Sequence, residues 1–397
     1  MISEKMQGFV RNNSVIRAMF EEGKIMARKF GPENVYDFSL GNPSVEPPKE
    51  VAESIVKIAT EEEPNLVHGY MSNSGYEDVR AAVADSLNRR FGTAFTQKNI
   101  LMTVGAAGGL NVIFKTLLNP GDEVIVFAPY FLEYRSYVGN FDGVVVEITP
   151  DMETFQPNLA EFEKKITPKT KAVIVNTPNN PTGVVYSEET IVKMSEILVS
   201  KEKEFGTGIY LISDEPYREL VYTDEEPPYL TKYYHNTIVG YSFSKSLSLP
   251  GERIGYLVMP DTLDDADDVI AAAAIANRIM GFVNAPSLMQ RVIAQCLDAQ
   301  VDIDAYRRNR DLLYKTVTDA GFECAKPDGA FYLFIKAPDG DDKKFTALAK
   351  EQRLLIVPGS SFAGPGFCRA AYCVSYEMIE RSVPSWKALA EAYGLGK

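Results

Sequence analysis

Short apolar runs rich in β-branched residues, alternating with longer amphipathic stretches, constrain this chain more than any other feature. Glu123–Phe127 (EVIVF), Val144–Ile148 (VVVEI), Ala172–Asn176 (AVIVN), Ile209–Ser213 (IYLIS), Thr237–Tyr241 (TIVGY) and Ile254–Met259 (IGYLVM) are bounded by turn residues. Their length and composition read as buried strands. Between them, Tyr76–Phe91, Leu110–Leu118 and Ser187–Lys203 carry apolar residues at helical spacing. Consecutive parallel strands need a crossover that is usually helical, so this alternation predicts an α/β fold: a mostly parallel sheet flanked by helices.

The pattern changes after about residue 290. A long helical pattern over Ser287–Ala320 precedes strand-like pieces at Ala330–Lys336, Leu354–Val357 and Arg369–Ser375. These predict a smaller α+β domain. Ahead of the sheet lie a helical stretch, Ser14–Phe30, and the extended FSLGNPSVEPP, which is expected to pack with the smaller domain. The expected organisation is an N-terminal segment over 1–45, a large domain over 46–286 and a small C-terminal domain over 287–397. Acidic clusters at Glu61–Glu63, Asp264–Asp268 and Asp339–Asp342 fit solvated loops or helix ends.

Charge and composition narrow the class. The 397 residues carry 41 Lys and Arg against 54 Asp and Glu, a formal net charge of −13. Nucleic acid and anionic membrane surfaces repel such a balance, and no run of five Lys or Arg appears. No apolar stretch approaches the roughly 18 residues of a membrane span. The start, MISEKMQGFVRNN, lacks the apolar core of a secretory signal. Cys296, Cys324, Cys368 and Cys373 form no CxxC pair, and His68 and His235 are the two histidines. A reducing, cytoplasmic setting is expected, and a zinc site is not.

The most specific segment is Ser242-Phe-Ser-Lys-Ser-Leu-Ser-Leu-Pro-Gly-Glu-Arg253-Ile-Gly255. Most lysines are surface charges. Lys245 follows a buried strand directly and sits among small hydroxylated residues, where desolvation lowers an amine pKa and frees it to attack a carbonyl. Three readings compete. Ser242 with Lys245 fits the S-x-x-K of serine acyl-enzymes, but no K-T-G follows. Tyr241 with Lys245 fits the Y-x-x-x-K of short-chain dehydrogenases. Those need a Gly-rich phosphate turn after the first strand, and Val104-Gly-Ala-Ala-Gly-Gly109 comes late and is not G-x-G-x-x-G. The third reading is a lysine that holds pyridoxal phosphate as a Schiff base.

Other residues favour the third. Asp214 follows the strand IYLIS in DEPY, where it could cap a helix or hold a pyridinium nitrogen protonated. Asn180, in NTPNNPTG after AVIVN, could be a turn residue or could bond the cofactor's phenolic oxygen. Lys245, Asp214 and Asn180 all fall at carboxyl ends of predicted strands, where open α/β sheets bind ligands.

Together these segments strongly resemble the fold-type I pyridoxal-phosphate aminotransferases of class I/II, the aspartate aminotransferase-like group. The resemblance runs from SLGNP near residue 40 to RAAYCVS near 370. It implies pyridoxal 5'-phosphate on Lys245, with the phosphate held by Arg253, Ser242 and the backbone of a loop at Gly105, Ala106 and Ala107. Phe131, in APYF, would stack on the ring, whose oxygen Tyr217 and Asn180 would bond while Asp214 holds its nitrogen. Arg369 would grip the substrate α-carboxylate in a bidentate fork, close to Gly41 and Asn180. Lys245, with Asp214 and Tyr217 in support, would move the proton. Tyr70, in HGYMSNSG, matches a tyrosine lent to the neighbouring subunit, which implies a homodimer.

The implied activity moves an amino group between an L-amino acid, such as aspartate, glutamate or an aromatic one, and a 2-oxo acid. Aspartate-using relatives often carry a lysine where this chain has Ala107, which leaves the distal carboxylate to another cation, with Arg17 and Arg278 the candidates. C–S β-elimination uses the same fold and cofactor and stands as the alternative. A regulator built on this fold would carry a basic DNA-binding domain ahead of it, unlike the acidic chain here.

Overall fold

The computed structural model describes residues 2–11, 15–224 and 226–395. Among the described residues, twelve strands form three sheets: β1 (Tyr36–Asp37), β2 (Ile100–Thr103), β3 (Glu123–Phe127), β4 (Val144–Ile148), β5 (Thr170–Asn176), β6 (Tyr210–Asp214), β7 (Thr237–Ser242), β8 (Gly255–Val258), β9 (Tyr332–Lys336), β10 (Leu354–Leu355), β11 (Val357–Pro358) and β12 (Phe367–Ala371). The largest sheet has the order β2-β8-β7-β6-β5-β3-β4. It is parallel except for β8, which runs antiparallel to both β7 and β2. All six strands expected from the sequence are in it. β2 (ILMT), too short to stand out, is the addition.

Helices cover both faces, and the period-2 alternation of the strands decides which side chain meets which helix. In β3, Val124 and Val126 join a core with Leu110, Ile113 and Phe114 of the helix Gly105–Leu117. Ile125 and Phe127 face the other way, towards Ile191, Met194 and Leu198 of the helix Glu188–Phe205. β5 splits likewise, with Ala172 and Ile174 on the first side and Val173 and Val175 on the second.

The expected long helix over 287–320 is instead two helices, Ser287–Gln295 and Ile303–Asp319. Asp302 starts the second by accepting the Ala305 amide at 3.0 Å. The two serve different cores. Met289, Val292 and Ile293 pack with Ile100, Tyr241 and Tyr256 at the β2 side of the large sheet. Tyr306, Leu313 and Val317 pack with Phe38, Phe331 and Trp386. This second core carries the antiparallel sheet β11-β12-β9.

The N-terminal segment docks on that same unit. β1 pairs in parallel with β10, the Phe38 amide donates to Leu355 O at 2.9 Å, and the Ala371 amide donates to Phe38 O at 2.8 Å. The chain from Ser39 to Gly41 is thereby carried to the junction of the two sheets. A helix over Glu4–Arg11, absent from the sequence expectation, precedes it.

Candidate active site

Parallel strands present their last residues side by side, and here those residues are polar. Asn176 ends β5 and Asp214 ends β6, as register partners. The Asn176 amide donates to Asp214 O at 2.9 Å, and its side-chain oxygen accepts the Asn180 N–H at 2.9 Å, which fixes the turn that carries Asn180. β7 ends at Ser242, whose hydroxyl accepts the Ser244 amide and caps the single turn Phe243–Ser246. Lys245 projects from this turn.

A cavity of about 280 Å³ opens over these strand ends. It gathers Gly41, Ala106, Ala107, Phe131, Asn180, Asp214, Tyr217, Ser242, Lys245, Arg253 and Arg369, residues spread over more than three hundred positions. Gly105 lies just beneath. A Cβ there would stand 3.1 Å from Arg253 Nη2, and its φ of +69° is one a side chain would resist. The expected loop at Gly105–Ala107 is in fact the first turn of the helix Gly105–Leu117. The correction leaves the chemistry of that segment intact, because first-turn N–H groups have no partner within their own helix.

The electrostatics of the cavity are set by burial. Asp214 is fully buried, which pushes its carboxyl up to about 7; a bond from Tyr134 opposes the rise, and neighbouring Glu215 adds to it. Tyr134 donates to Asp214 Oδ2 at 2.5 Å, while Oδ1 has no partner. An orphaned carboxylate oxygen in a dry site is costly unless a donor arrives from a ligand. Lys245 is brought down to about 8 by burial, with Cys373 opposing and Arg369 and Arg253 assisting. Its amine donates to Gly41 O at 2.6 Å.

Arg369 is the second buried charge with capacity to spare. Nη1 donates to Asn180 Oδ1 at 3.0 Å and Nη2 to Ser39 O at 2.7 Å, whereas Nε has no partner. Its guanidinium lies over the rings of Tyr332 and Phe362, at 4.4 and 4.6 Å from their centroids. Arg253, at the opposite end, donates to Pro250 O at 2.9 Å. Phe131 meets Tyr134 edge-on, with ring centroids 5.7 Å apart.

These features suit a planar, anionic cofactor with a basic ring nitrogen. A cation and helix N–H groups lie at one end, an aromatic face stands beside the cavity, an unpaired carboxylate oxygen waits for a donor, and an amine of lowered pKa sits among them. At the far end, a buried guanidinium suits a carboxylate.

Two expectations about cations and one about a tyrosine fall outside the cavity. Arg278 is exposed on the helix Ala266–Ile279 and does not line it. The side chain of Arg17 lies outside the described residues. Tyr70 is 93% exposed and contributes nothing to the cavity of its own chain. Conversely, Asn176, Tyr134, Tyr137, Ser244 and Tyr332 line or support the cavity without having been singled out from the sequence. Asn176 ends a recognised strand and Tyr134 follows Phe131 by three, so both were within reach of the argument. Tyr332 sits in an apolar strand and gave no signal.

Comparison with known proteins places the chain in a family. The sequence profile of the family described as aminotransferase class I and II matches residues 33–384. The aspartate aminotransferase of Thermotoga maritima is 32% identical over 355 residues, covering 88% of this chain and 90% of that one. The aspartate/prephenate aminotransferase of Thermus thermophilus is 31% identical over 354 residues, covering 87% and 88%. The crystal structure of an aminotransferase from Eubacterium rectale superposes with a TM-score of 0.97 at 47% identity, covering 99% of both chains.

Proposed function

We propose that this chain, which belongs to the class I and II aminotransferases, carries pyridoxal 5'-phosphate on Lys245 and moves an amino group between an L-amino acid and a 2-oxo acid. The observation that carries the site assignment is a pair of buried, unpartnered polar atoms, Asp214 Oδ1 and Arg369 Nε, in residues lining the same cavity as the Lys245 amine. When bound, the cofactor supplies an electron sink conjugated to the substrate Cα.

Each residue then has a task that its own chemistry allows. Arg253, Ser242 and the first-turn N–H groups of Gly105, Ala106 and Ala107 hold the phosphate, by charge and by donors the helix leaves free. Phe131 covers a ring face. Asp214 pairs through Oδ1 with the ring nitrogen and, once paired, stays ionised. Tyr217 and Asn180 hold the phenolic oxygen. Arg369, with Gly41 and Asn180 beside it, fixes the α-carboxylate and so decides which bond at Cα faces Lys245. The Lys245 amine, lowered to about 8, serves as base and acid at Cα near neutral pH.

The relatives named above are an aspartate and an aspartate/prephenate aminotransferase, which supports aspartate as the first donor to test; glutamate and the aromatic amino acids follow from the sequence expectation alone. Among the described residues, the cavity holds Lys245, Arg253 and Arg369 as its cations, and Ala107 offers none. A distal carboxylate therefore needs a cation from Arg17 or from a second copy of the chain. The same second copy gives Tyr70 a task, on the neighbouring phosphate, and we read the enzyme as a homodimer. The division into an N-terminal segment (1–45), a large domain (46–286) and a small domain (287–397) accompanies this reading, with the helix Ser287–Gln295 sharing the large domain's core. No described helix is long and apolar enough to cross a membrane, and the four cysteines are free; a cytoplasmic location is part of this proposal.

β-Elimination of a C–S bond gains no support from these relatives. The test is the absorbance of the loaded enzyme titrated with aspartate, glutamate and phenylalanine. Loss of the visible band with one donor, restored by a 2-oxo acid, is the expected result. Release of ammonia or a thiol without that reversible change would overturn it.

A further inference from the structure

Tyr332, the first residue of β9, meets Tyr217, Arg369 and Gly41 in the cavity. Its hydroxyl lies 2.8 Å from the Tyr217 hydroxyl. Its ring faces the Arg369 guanidinium at 4.4 Å. A Cβ on residue 41 would stand 2.2 Å from its oxygen and 3.2 Å from the Phe331 ring, so the glycine whose carbonyl accepts the Lys245 amine leaves room for Tyr332 above all. The residue is fully buried, and burial raises both phenols above their ordinary range.

We propose that Tyr332 is a positioning residue for this reaction: its hydroxyl donates to Tyr217 Oη and so commits the Tyr217 proton to the cofactor's phenolic oxygen, while its ring holds Arg369 for the carboxylate. The proposal rests on the cofactor reading above and assigns to Tyr332 a task that reading does not contain. Either oxygen of the tyrosine pair can donate. When Tyr217 gives its proton to a ligand, the bond between the two phenols survives only if Tyr332 supplies the proton. A donor that is itself hydrogen-bonded on its oxygen is a stronger donor, so the pair acts cooperatively on the ligand oxygen.

The charged and titratable groups that face the pair are Arg369 on β12, Cys373 just after it and Tyr134 beside Asp214, and Lys245, after β7, lines the same cavity. Arg369, 4.4 Å from the Tyr332 ring, favours the ionised form of both phenols. Filling Arg369 with a substrate carboxylate removes part of that influence. The same contact therefore links occupancy of the carboxylate site to the strength of the Tyr217 bond.

The experiment compares wild-type, Tyr332→Phe and Tyr332→Leu holoenzymes by the pH midpoint of their visible absorbance and by KM for the amino acid. Tyr332→Phe keeps the ring and loses the hydroxyl. Its midpoint should rise by roughly 0.3–0.5 unit, because a weaker Tyr217 bond leaves the phenolic oxygen more basic, while KM stays within about twofold of wild type. Tyr332→Leu should show the same midpoint shift and, in addition, a KM raised roughly tenfold, because Arg369 loses its aromatic face. A Tyr332→Phe midpoint equal to wild type, in protein that melts at the wild-type temperature, overturns the proposal and leaves the cofactor reading standing. A wild-type protein with no titrating band removes the cofactor reading first, and the proposal with it. Should Tyr332→Leu fail to fold, Tyr332→Phe decides alone.

Discussion

The floor and the far wall of the cavity are built by different means. The floor belongs to one sheet. Asn176 and Asp214 are register partners on neighbouring parallel strands, Ser242 ends the next strand over and Lys245 follows it. Backbone ladders set their spacing, so each side chain needs few further restraints. The far wall joins Gly41, Tyr332 and Arg369, and the bond from Arg369 Nη2 to Ser39 O spans 330 residues of sequence. There, position depends on an N-terminal segment docked through a two-residue strand and on aromatic rings stacked against a guanidinium. The floor is rigid by topology and suits a resident cofactor. The far wall is held by side chains and suits a substrate that comes and goes.

Substitutions on the two sides should then separate cleanly. The larger effect belongs to the far wall. Arg369→Lys keeps the charge but loses the planar fork and the fit against Tyr332 and Phe362. KM for the amino acid should rise roughly 100-fold, with the affinity of the apoenzyme for pyridoxal phosphate within about twofold of wild type. Steady-state kinetics and a cofactor titration check this. A parallel loss of cofactor affinity would mean that the two sides are not separable.

A smaller effect is expected at the floor, and it appears without the cofactor. Because the folded-state pKa of Asp214 lies near 7, above its value of 3.8 in an unfolded chain, the folded apoenzyme binds a proton that the unfolded chain releases. The stabilisation is complete below about pH 4 and is lost as pH rises through 7. Asp214→Asn removes this dependence. In urea titrations of the cofactor-free protein, the variant should be more stable than wild type by about 1–3 kcal/mol at pH 8, and the difference should shrink towards pH 4. Equal stability at pH 8 would show that the carboxylate is not penalised there and that its orphaned oxygen carries no meaning.

The same contrast explains what could be read from the residues alone. Floor residues announce themselves, because each lies within four positions of the end of a β-branched run and carries a side chain with evident chemistry: Asn180 after AVIVN, Asp214 after IYLIS, Lys245 after TIVGYS. Strand ends in a parallel sheet converge, so the convergence of these residues was implied as soon as the strands were recognised. Arg369 was legible only through its family resemblance. Tyr332 was not legible at all: within Ala330–Lys336 it looks like any core aromatic, and only the antiparallel pairing of β9 with β12 carries it to Arg369. The helix break between Gln295 and Ile303 was missed for a related reason. Apolar spacing continues across it, but the two halves pack into different cores, and no local periodicity records that.

The most direct test of the central claim is to reduce the holoenzyme with borohydride, digest it and map the modified lysine by mass spectrometry. The account predicts a pyridoxyl group on the peptide that contains Lys245, and none after the same treatment of Lys245→Ala. A label on any other lysine, or on none, would contradict it.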